Sequence, residues 1–266
     1  MLRTLFGRQA VQPPKPAPEI RPTRSAGDKP MNEHTVKSYE EELALLDKKI
    51  AQMGGLAEQL LGQSLGALEK RDPKLAEEVV AADKQIDTLE REIEEQVISM
   101  VARRQPMADD LRHIMGALRI TTDLERIGDL AKNIAKRALA IADESHPKPL
   151  MSGIRHMVEL ALHQLKEVLD AYAERDADKA LAVWREDAQI DAMYNSLFRE
   201  LLTYMMEDPR NIGISTHLLF GAKNVERVGD HTTNIAETVH FLVRGFNIAD
   251  DRPKDDQTSS TLISGS

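Results

Sequence analysis

One eleven-residue stretch occurs twice, and it limits what this chain can fold into more than any other feature. The first copy reads Asp123-Leu-Glu125-Arg126-Ile-Gly128-Asp129-Leu-Ala-Lys-Asn133, and the second Asn224-Val-Glu226-Arg227-Val-Gly229-Asp230-His231-Thr-Thr-Asn234. Glu, Arg, Gly, Asp and Asn recur in place, and Ile-Ala follows both copies. On a helix, the Glu, Asp and Asn at i, i+4 and i+8 project from nearly one face. Two like charges in adjacent turns cost an isolated helix roughly 0.2–0.5 kcal/mol, and an interior Gly costs about 1 kcal/mol relative to Ala. A repeated pair of local costs calls for compensation, and oxygen-ligand metal binding is one candidate.

A helical host is what the composition favours. Aromatic residues make up only 4% of the chain, while Leu, Ala, Glu and Lys are abundant. There is no cysteine, so disulfides and thiolate metal sites are excluded and a reducing compartment such as the cytoplasm is expected. A net charge of −9 argues against general nucleic-acid affinity, which needs a basic face. No apolar run reaches membrane-spanning length.

Residues 1–32 differ from all that follow. They hold six of the twelve prolines and an excess of Arg and Lys, which predicts a disordered basic arm. It reads as a tether to a partner or anionic surface, as a dispensable tail, or as an upstream extension of a chain working from Met31. Helical periodicity begins near Val36. It predicts a first helix to Lys70, with Gly54-Gly55 marking close packing or a kink, and a second from Asp72-Pro73 to about Arg103. The stretch Arg104-Gln-Pro106-Met-Ala-Asp109-Asp110-Leu-Arg112 reads as a capped start to a third helix ending near Ala142, with Arg104 and Arg112 in structural roles. After a break at His146-Pro147-Lys-Pro149 the plan repeats over about 151–174, 177–206 and 210–244, with Gly245 as C-cap. The expected fold is therefore all-α: two tandem, pseudo-symmetric, antiparallel three-helix bundles built from six long helices. Their bounds are 33–146 and 147–246, followed by an acidic, Ser/Thr-rich tail over 247–266.

A second duplicated motif enlarges the site. Asp83-Lys-Gln-Ile-Asp87 recurs as Asp187-Ala-Gln-Ile-Asp191 on the helix before each copy of the first motif. Counting outward from hairpin turns near 105 and 208, at about 1.5 Å per residue, brings each Asp pair level with its Glu/Asp pair to within about a turn. Each half can thus gather four carboxylates across a helix–helix seam: Asp83, Asp87, Glu125 and Asp129, then Asp187, Asp191, Glu226 and Asp230. Asn133 and Asn234 lie a turn away. Such a set would protonate or need a cation, and all-oxygen ligation suits Mg, Mn or Fe, with Ca or Zn also open. The bland alternative is a solvated acidic face partly paired with Arg126 and Arg227. Gly128 and Gly229 fit close helix packing better than chemistry.

The constellations of common enzymes are missing. The one Glu-x-x-His, Glu237-Thr-Val-His240, has Lys136-Arg-Ala-Leu139 as its counterpart, which disfavours a duplicated di-iron site. No Gly-rich phosphate loop or Gly-x-Ser-x-Gly occurs, and His217 and His231 lack a neighbouring nucleophile motif.

Together the doubled Glu-Arg-(Ile/Val)-Gly-Asp with trailing Asn-Ile-Ala, the doubled Asp-x-x-Ile-Asp and the Arg-Gln-Pro-x-Ala-Asp-Asp-Leu-Arg segment resemble the PhoU family of bacterial phosphate-specific transport accessory proteins. The resemblance covers about 33–246 and implies nothing about the arm or tail. It implies two three-helix bundles related by a pseudo-twofold axis, with multinuclear metal clusters on the eight carboxylates named above. It further implies a cytoplasmic adaptor, commonly a homodimer, that carries out no reaction. By resemblance, that adaptor restrains the phosphate-starvation (Pho) response and high-affinity phosphate uptake by linking the phosphate ABC transporter, through its ATPase subunit, to a sensor histidine kinase. Its membrane association would be peripheral, through those partners. The alternative reading is a metal-dependent helical-bundle enzyme acting on phosphate esters.

Overall fold

A computed structural model describes residues 33–144 and 148–249; the expected arm over 1–32 and most of the expected tail lie outside these. Within them the chain forms α1 (Glu33–Lys70), α2 (Pro73–Arg104), α3 (Asp109–Ala140), α4 (Lys148–Glu174), α5 (Ala177–Arg185), α6 (Asp187–Glu207) and α7 (Ile212–Arg244). The caps expected at Asp72 and Gly245 form, and Asp176 adds another. Asp72 accepts from the Leu75 amide ahead of α2, Asp176 accepts from the amides of Asp178 and Lys179 ahead of α5, and Gly245 closes α7 at φ 82°. The start of α3 departs from expectation. No side chain caps it, and Ala108 at φ 49° turns the chain into the helix. Pro106 has no N–H with which to continue α2, and Asp109 and Asp110 instead occupy the first turn of α3, where the helix dipole favours them.

The fifth of the six expected helices is a rod broken at one residue. Glu186 separates α5 from α6, and its carbonyl accepts from the buried Gln164 amide of α4 at 3.1 Å. The same carbonyl also accepts from the Gln189 amide at 3.0 Å, so the break leaves it fully paired. Asp187 consequently stands in the first turn of α6, whereas α2 runs unbroken past Asp83.

Helices α1–α3 pack as one antiparallel bundle and α4–α7 as a second, with α3 against α7 and α1 against α4 joining them. The apolar interior is continuous through both, from Leu46 in α1 to Val239 in α7. Close approach is set by glycine. A methyl at Gly54 would fall 2.7 Å from Leu169 of α4, so of the two expected roles this glycine serves close packing, and α1 continues as one helix through it. A methyl at Gly116 would collide with Leu242 of α7. Ile248, within the expected tail, still packs on the core.

Candidate metal centre

Each seam forms where a helix bearing Asp-x-x-Ile-Asp meets a helix bearing Glu-Arg-x-Gly-Asp, and the Ile and Gly are what bring them together. A Cβ on Gly128 would lie 2.6 Å from Ile86 Cδ1, and one on Gly229 would lie 2.9 Å from Ile190 Cδ1. Both glycines therefore remove volume so that α2 can lie on α3 and α6 on α7. The acids one residue along or one turn away are carried to the same crossing.

In the first seam Asp83 is buried, while Asp87, Glu125 and Asp129 are half-buried. A lysine that motif reasoning passed over joins them. Lys132 Nζ lies 2.6 Å from Asp83 Oδ2 on α2 and 2.5 Å from Asp129 Oδ1 on α3. Burial alone would lower the ammonium's pKa, but hydrogen bonds to Asp129 and Asp83 more than reverse this and hold it above the ordinary lysine range. Burial still outweighs Lys132 at Asp83, whose carboxyl is pushed up, with Asp87 and Asp129 adding repulsion. Glu125 is raised by burial and then by Asp129. Arg126 stands 3.5 Å from Glu125 and 3.7 Å from Asp129, pairing with its own helix's acids as expected. Glu90 also belongs here: burial raises its carboxyl, and Glu94, Asp87 and Asp129 push it further, while Arg126 offsets them. Its signal was present in the sequence, as an acidic row 83, 87, 90, 94 at helical spacing.

The second seam is more enclosed. Asp187, Asp191 and Glu226 are all buried, and Asp230 is half-buried. Thr233 Oγ1 donates to Asp187 Oδ1 at 2.9 Å, and Lys223 Nζ lies 2.9 Å from Glu226 Oε1 and 4.9 Å from the Tyr194 ring of α6. Glu226 is 4% exposed, yet its Oε2 has no hydrogen-bond partner. Burial raises the Glu226 carboxyl, Lys223 pulls it back, and Asp230 and Asp191 push it up again. A buried acceptor left unpaired costs about 1–3 kcal/mol, and among carboxylates it is the kind of atom a hard cation would complete. Among the described residues no three acids or histidines converge closely enough to hold an ion as they stand, so ligation would require side-chain rotations.

The other residues singled out lie elsewhere. Asn234 donates to Asp123 Oδ1 of α3 at 3.3 Å, and His231 Nδ1 lies 2.9 Å from the same oxygen. Both thus face the junction between halves. Glu237 accepts from the Trp184 indole at 3.0 Å, and His240 meets Phe246 edge-on. Arg104 is structural, bonding Ser38 and Glu42 of α1 at 2.9 Å each, and Arg112 pairs with Asp109 at 2.8 Å. A second junction cluster had no motif to announce it. Tyr172 of α4 donates to Asp47 Oδ1 of α1 at 2.5 Å, His113 Nε2 of α3 lies 2.7 Å from that oxygen, and Arg175 Nη2 lies 2.7 Å from His113 Nε2. A cavity of about 340 Å³ opens beside Asp47, Tyr172 and Arg175.

Residues 50–138 and 154–239, which hold both seams, each match the family model described as the PhoU domain. The chain belongs to the PhoU family. Over 227 residues it is 55% identical to the phosphate-specific transport system accessory protein PhoU homolog of Rhizobium meliloti (strain 1021), covering 85% of this chain and 96% of that protein. The crystal structure of PhoU from Pseudomonas aeruginosa superposes with a TM-score of 0.76 at 40% identity, covering 78% of this chain and all of that one. The phosphate transport system regulatory protein PhoU from Streptococcus pneumoniae gives 0.73 at 28% identity, over 79% and 99%. The all-α, two-bundle fold expected from the duplication is thus the fold of solved PhoU structures. No helix among the described residues is long and apolar enough to cross a membrane.

Proposed function

We propose that this PhoU-family chain is an accessory protein of a phosphate transport system. It acts as a cytoplasmic adaptor that restrains high-affinity phosphate uptake and the phosphate-starvation response by linking the ATPase subunit of the phosphate ABC transporter to a sensor histidine kinase. The observation that carries this reading is the 55% identity to an accessory protein of such a system along 96% of that protein's length. The adaptor works by binding, as a homodimer, and catalyses no reaction.

The same reading gives the seams a structural metal. Asp83, Asp87, Glu125 and Asp129 would hold it in one half, and Asp187, Asp191, Glu226 and Asp230 in the other. Eight carboxylates suit Mg, Mn, Fe or Zn, and the unpaired Glu226 Oε2 supports the assignment in the second seam. A bound ion would supply charge compensation and a cross-link between helices. The protein's part is to present the acids along two helix crossings that Gly128 and Gly229 keep tight.

Affinity purification of the full chain from phosphate-replete cells tests the adaptor role. Transporter ATPase and histidine kinase are expected to be retained together, and less so from starved cells. Recovery of neither would overturn the reading, and turnover of phosphate esters by the metal-replete protein would favour an enzyme instead.

A further inference from the structure

We propose that the basic, apolar segment 1–8 docks back on the outer groove between α2 and α3, where it covers an exposed patch of Ile98, Val101, Leu111 and Met115. Glu90, Glu94, Ile98 and Val101 stand at i, i+4, i+8 and i+11 of α2, so they run along one face. Leu111 and Met115 stand on α3 at the spacing that leads on through Thr122 to Arg126 and Asp129. The closeness of Ile86 to Gly128 and of Asp83 to Lys132 fixes the register of the hairpin. That register brings Ile98 level with Met115, and Val101 with Leu111, to within about a turn. All four side chains are exposed, Ile98 to 68%, and Met107 in the turn is exposed beside them. Scattered apolar side chains on a surface need no explanation, but a run along one groove marks an interaction site.

Beyond the patch the groove turns acidic. Glu90 and Glu94 continue the same face of α2, and Asp129 faces them from α3. Burial, Glu94, Asp87 and Asp129 together hold the Glu90 carboxyl above its ordinary range against the pull of Arg126. This stretch therefore favours further positive charge, and the groove suits an occupant that sets apolar anchors beside cations. Segment 1–8 reads Met1-Leu2-Arg3-Thr4-Leu5-Phe6-Gly7-Arg8, and no acid occurs before Glu19.

The segment is also tethered at the correct end of the bundle. Arg104, at the end of α2, bonds Ser38 and Glu42 of α1 at 2.9 Å each, so α1 begins beside the hairpin turn. Residues 9–32 supply up to about 3.3 Å of reach each, far more than the roughly 20 Å of α2 between Glu90 and Arg104. A tethered segment meets its groove at an effective concentration on the order of millimolar, an advantage that a second copy lacks in dilute solution. Any partner that uses this end of the groove must first displace it.

Methionine oxidation in the full chain tests this. Met107 and Met115 lie at the patch, while Met206, 84% exposed, stands by the α6–α7 turn at the opposite end. Wild type and Leu5→Asp/Phe6→Asp are treated with hydrogen peroxide at low protein concentration, and sulfoxide at each position is followed by mass spectrometry. Met115 and Met107 are expected to oxidise several-fold faster in the variant, with Met206 unchanged and wild-type rates independent of protein concentration. Ile98→Asp, which spoils the groove and leaves the segment unaltered, is expected to expose Met115 in the same way. The Met206 rate reports in each case that the fold is intact. Equal Met115 rates in wild type and Leu5→Asp/Phe6→Asp would overturn the inference. Protection that persists in that variant and grows with protein concentration would overturn it too, and assign the patch to a second copy. Neither outcome touches the adaptor reading, which rests on the family relationship.

Discussion

Glu226 carries the most exposed consequence of the seam chemistry at the level of a single side chain. Burial raises its carboxyl, with Asp230 and Asp191 adding to the rise. A carboxyl raised in the folded state keeps its proton where the unfolded chain has lost its own. Its ionisation therefore opposes folding above the ordinary glutamate range, and that penalty disappears in acid. Glu226→Gln removes a charge that repels two neighbours and an acceptor that finds no donor. In the presence of chelator near neutral pH the variant is expected to be more stable by about 1 kcal/mol, or to melt some 2–4 °C higher. The advantage should shrink as the pH falls through the raised value, and in excess Mn²⁺ it should reverse. Thermal melts across pH, with and without metal, check all three, and a lower melting point in chelator would refute the account. At this scale the acids were legible from helical spacing and a residue count about each hairpin. Lys132 was not, because which acids an ammonium reaches depends on side-chain rotamer and burial.

Among elements, the glycines give predictions of opposite sign. A methyl at Gly55 would meet nothing within 4 Å, so Gly55→Ala is expected to stabilise α1 by up to about 1 kcal/mol through helix propensity. At Gly128 a Cβ would already lie 2.6 Å from Ile86. Gly128→Val is expected to cost about 1–3 kcal/mol by overpacking, and Ile86→Ala in the same chain should return part of it. Denaturant unfolding of the two singles and the double variant measures this coupling; additive effects would mean that the glycine does not set the crossing. The close approach could be anticipated because an interior Gly in a strong helix pattern demands a reason. The break at Glu186 could not. No Gly or Pro marks residues 183–188, and the side chain that meets the break is Gln164, more than twenty residues earlier and brought near by packing alone. The uncapped start of α3 escapes the sequence for a related reason: Asp109 and Asp110 have the composition of caps but stand one and two residues past the cap position, which Ala108 holds.

Across the whole molecule, the halves are joined by polar contacts as well as apolar ones. Tyr172 is 5% exposed and donates to Asp47 from the opposite half, and His113 and Arg175 gather around the same carboxylate. Burial opposes ionisation of Asp47, but the hydrogen bonds from His113 and Tyr172, with the charges of His113 and Arg175, outweigh it and lower its pKa. Its contribution is thus present above the ordinary aspartate range and lost as the pH falls through the lowered value, opposite in sign to Glu226. Tyr172→Phe is expected to cost about 1 kcal/mol near neutral pH and less in strong acid, with calorimetry still showing one transition. Two resolved transitions in that variant would mean that the bundles fold independently and that this contact is what welds them.

α3 and α7 each work on two sides at once. One side of each rod carries seam acids toward α2 or α6, and another carries Asp123 against His231 and Asn234 of the opposite half. A rod cannot roll on one side only. Any turn of α3 that moved Asp129 at its crossing would also move Asp123 against His231 and Asn234 of α7.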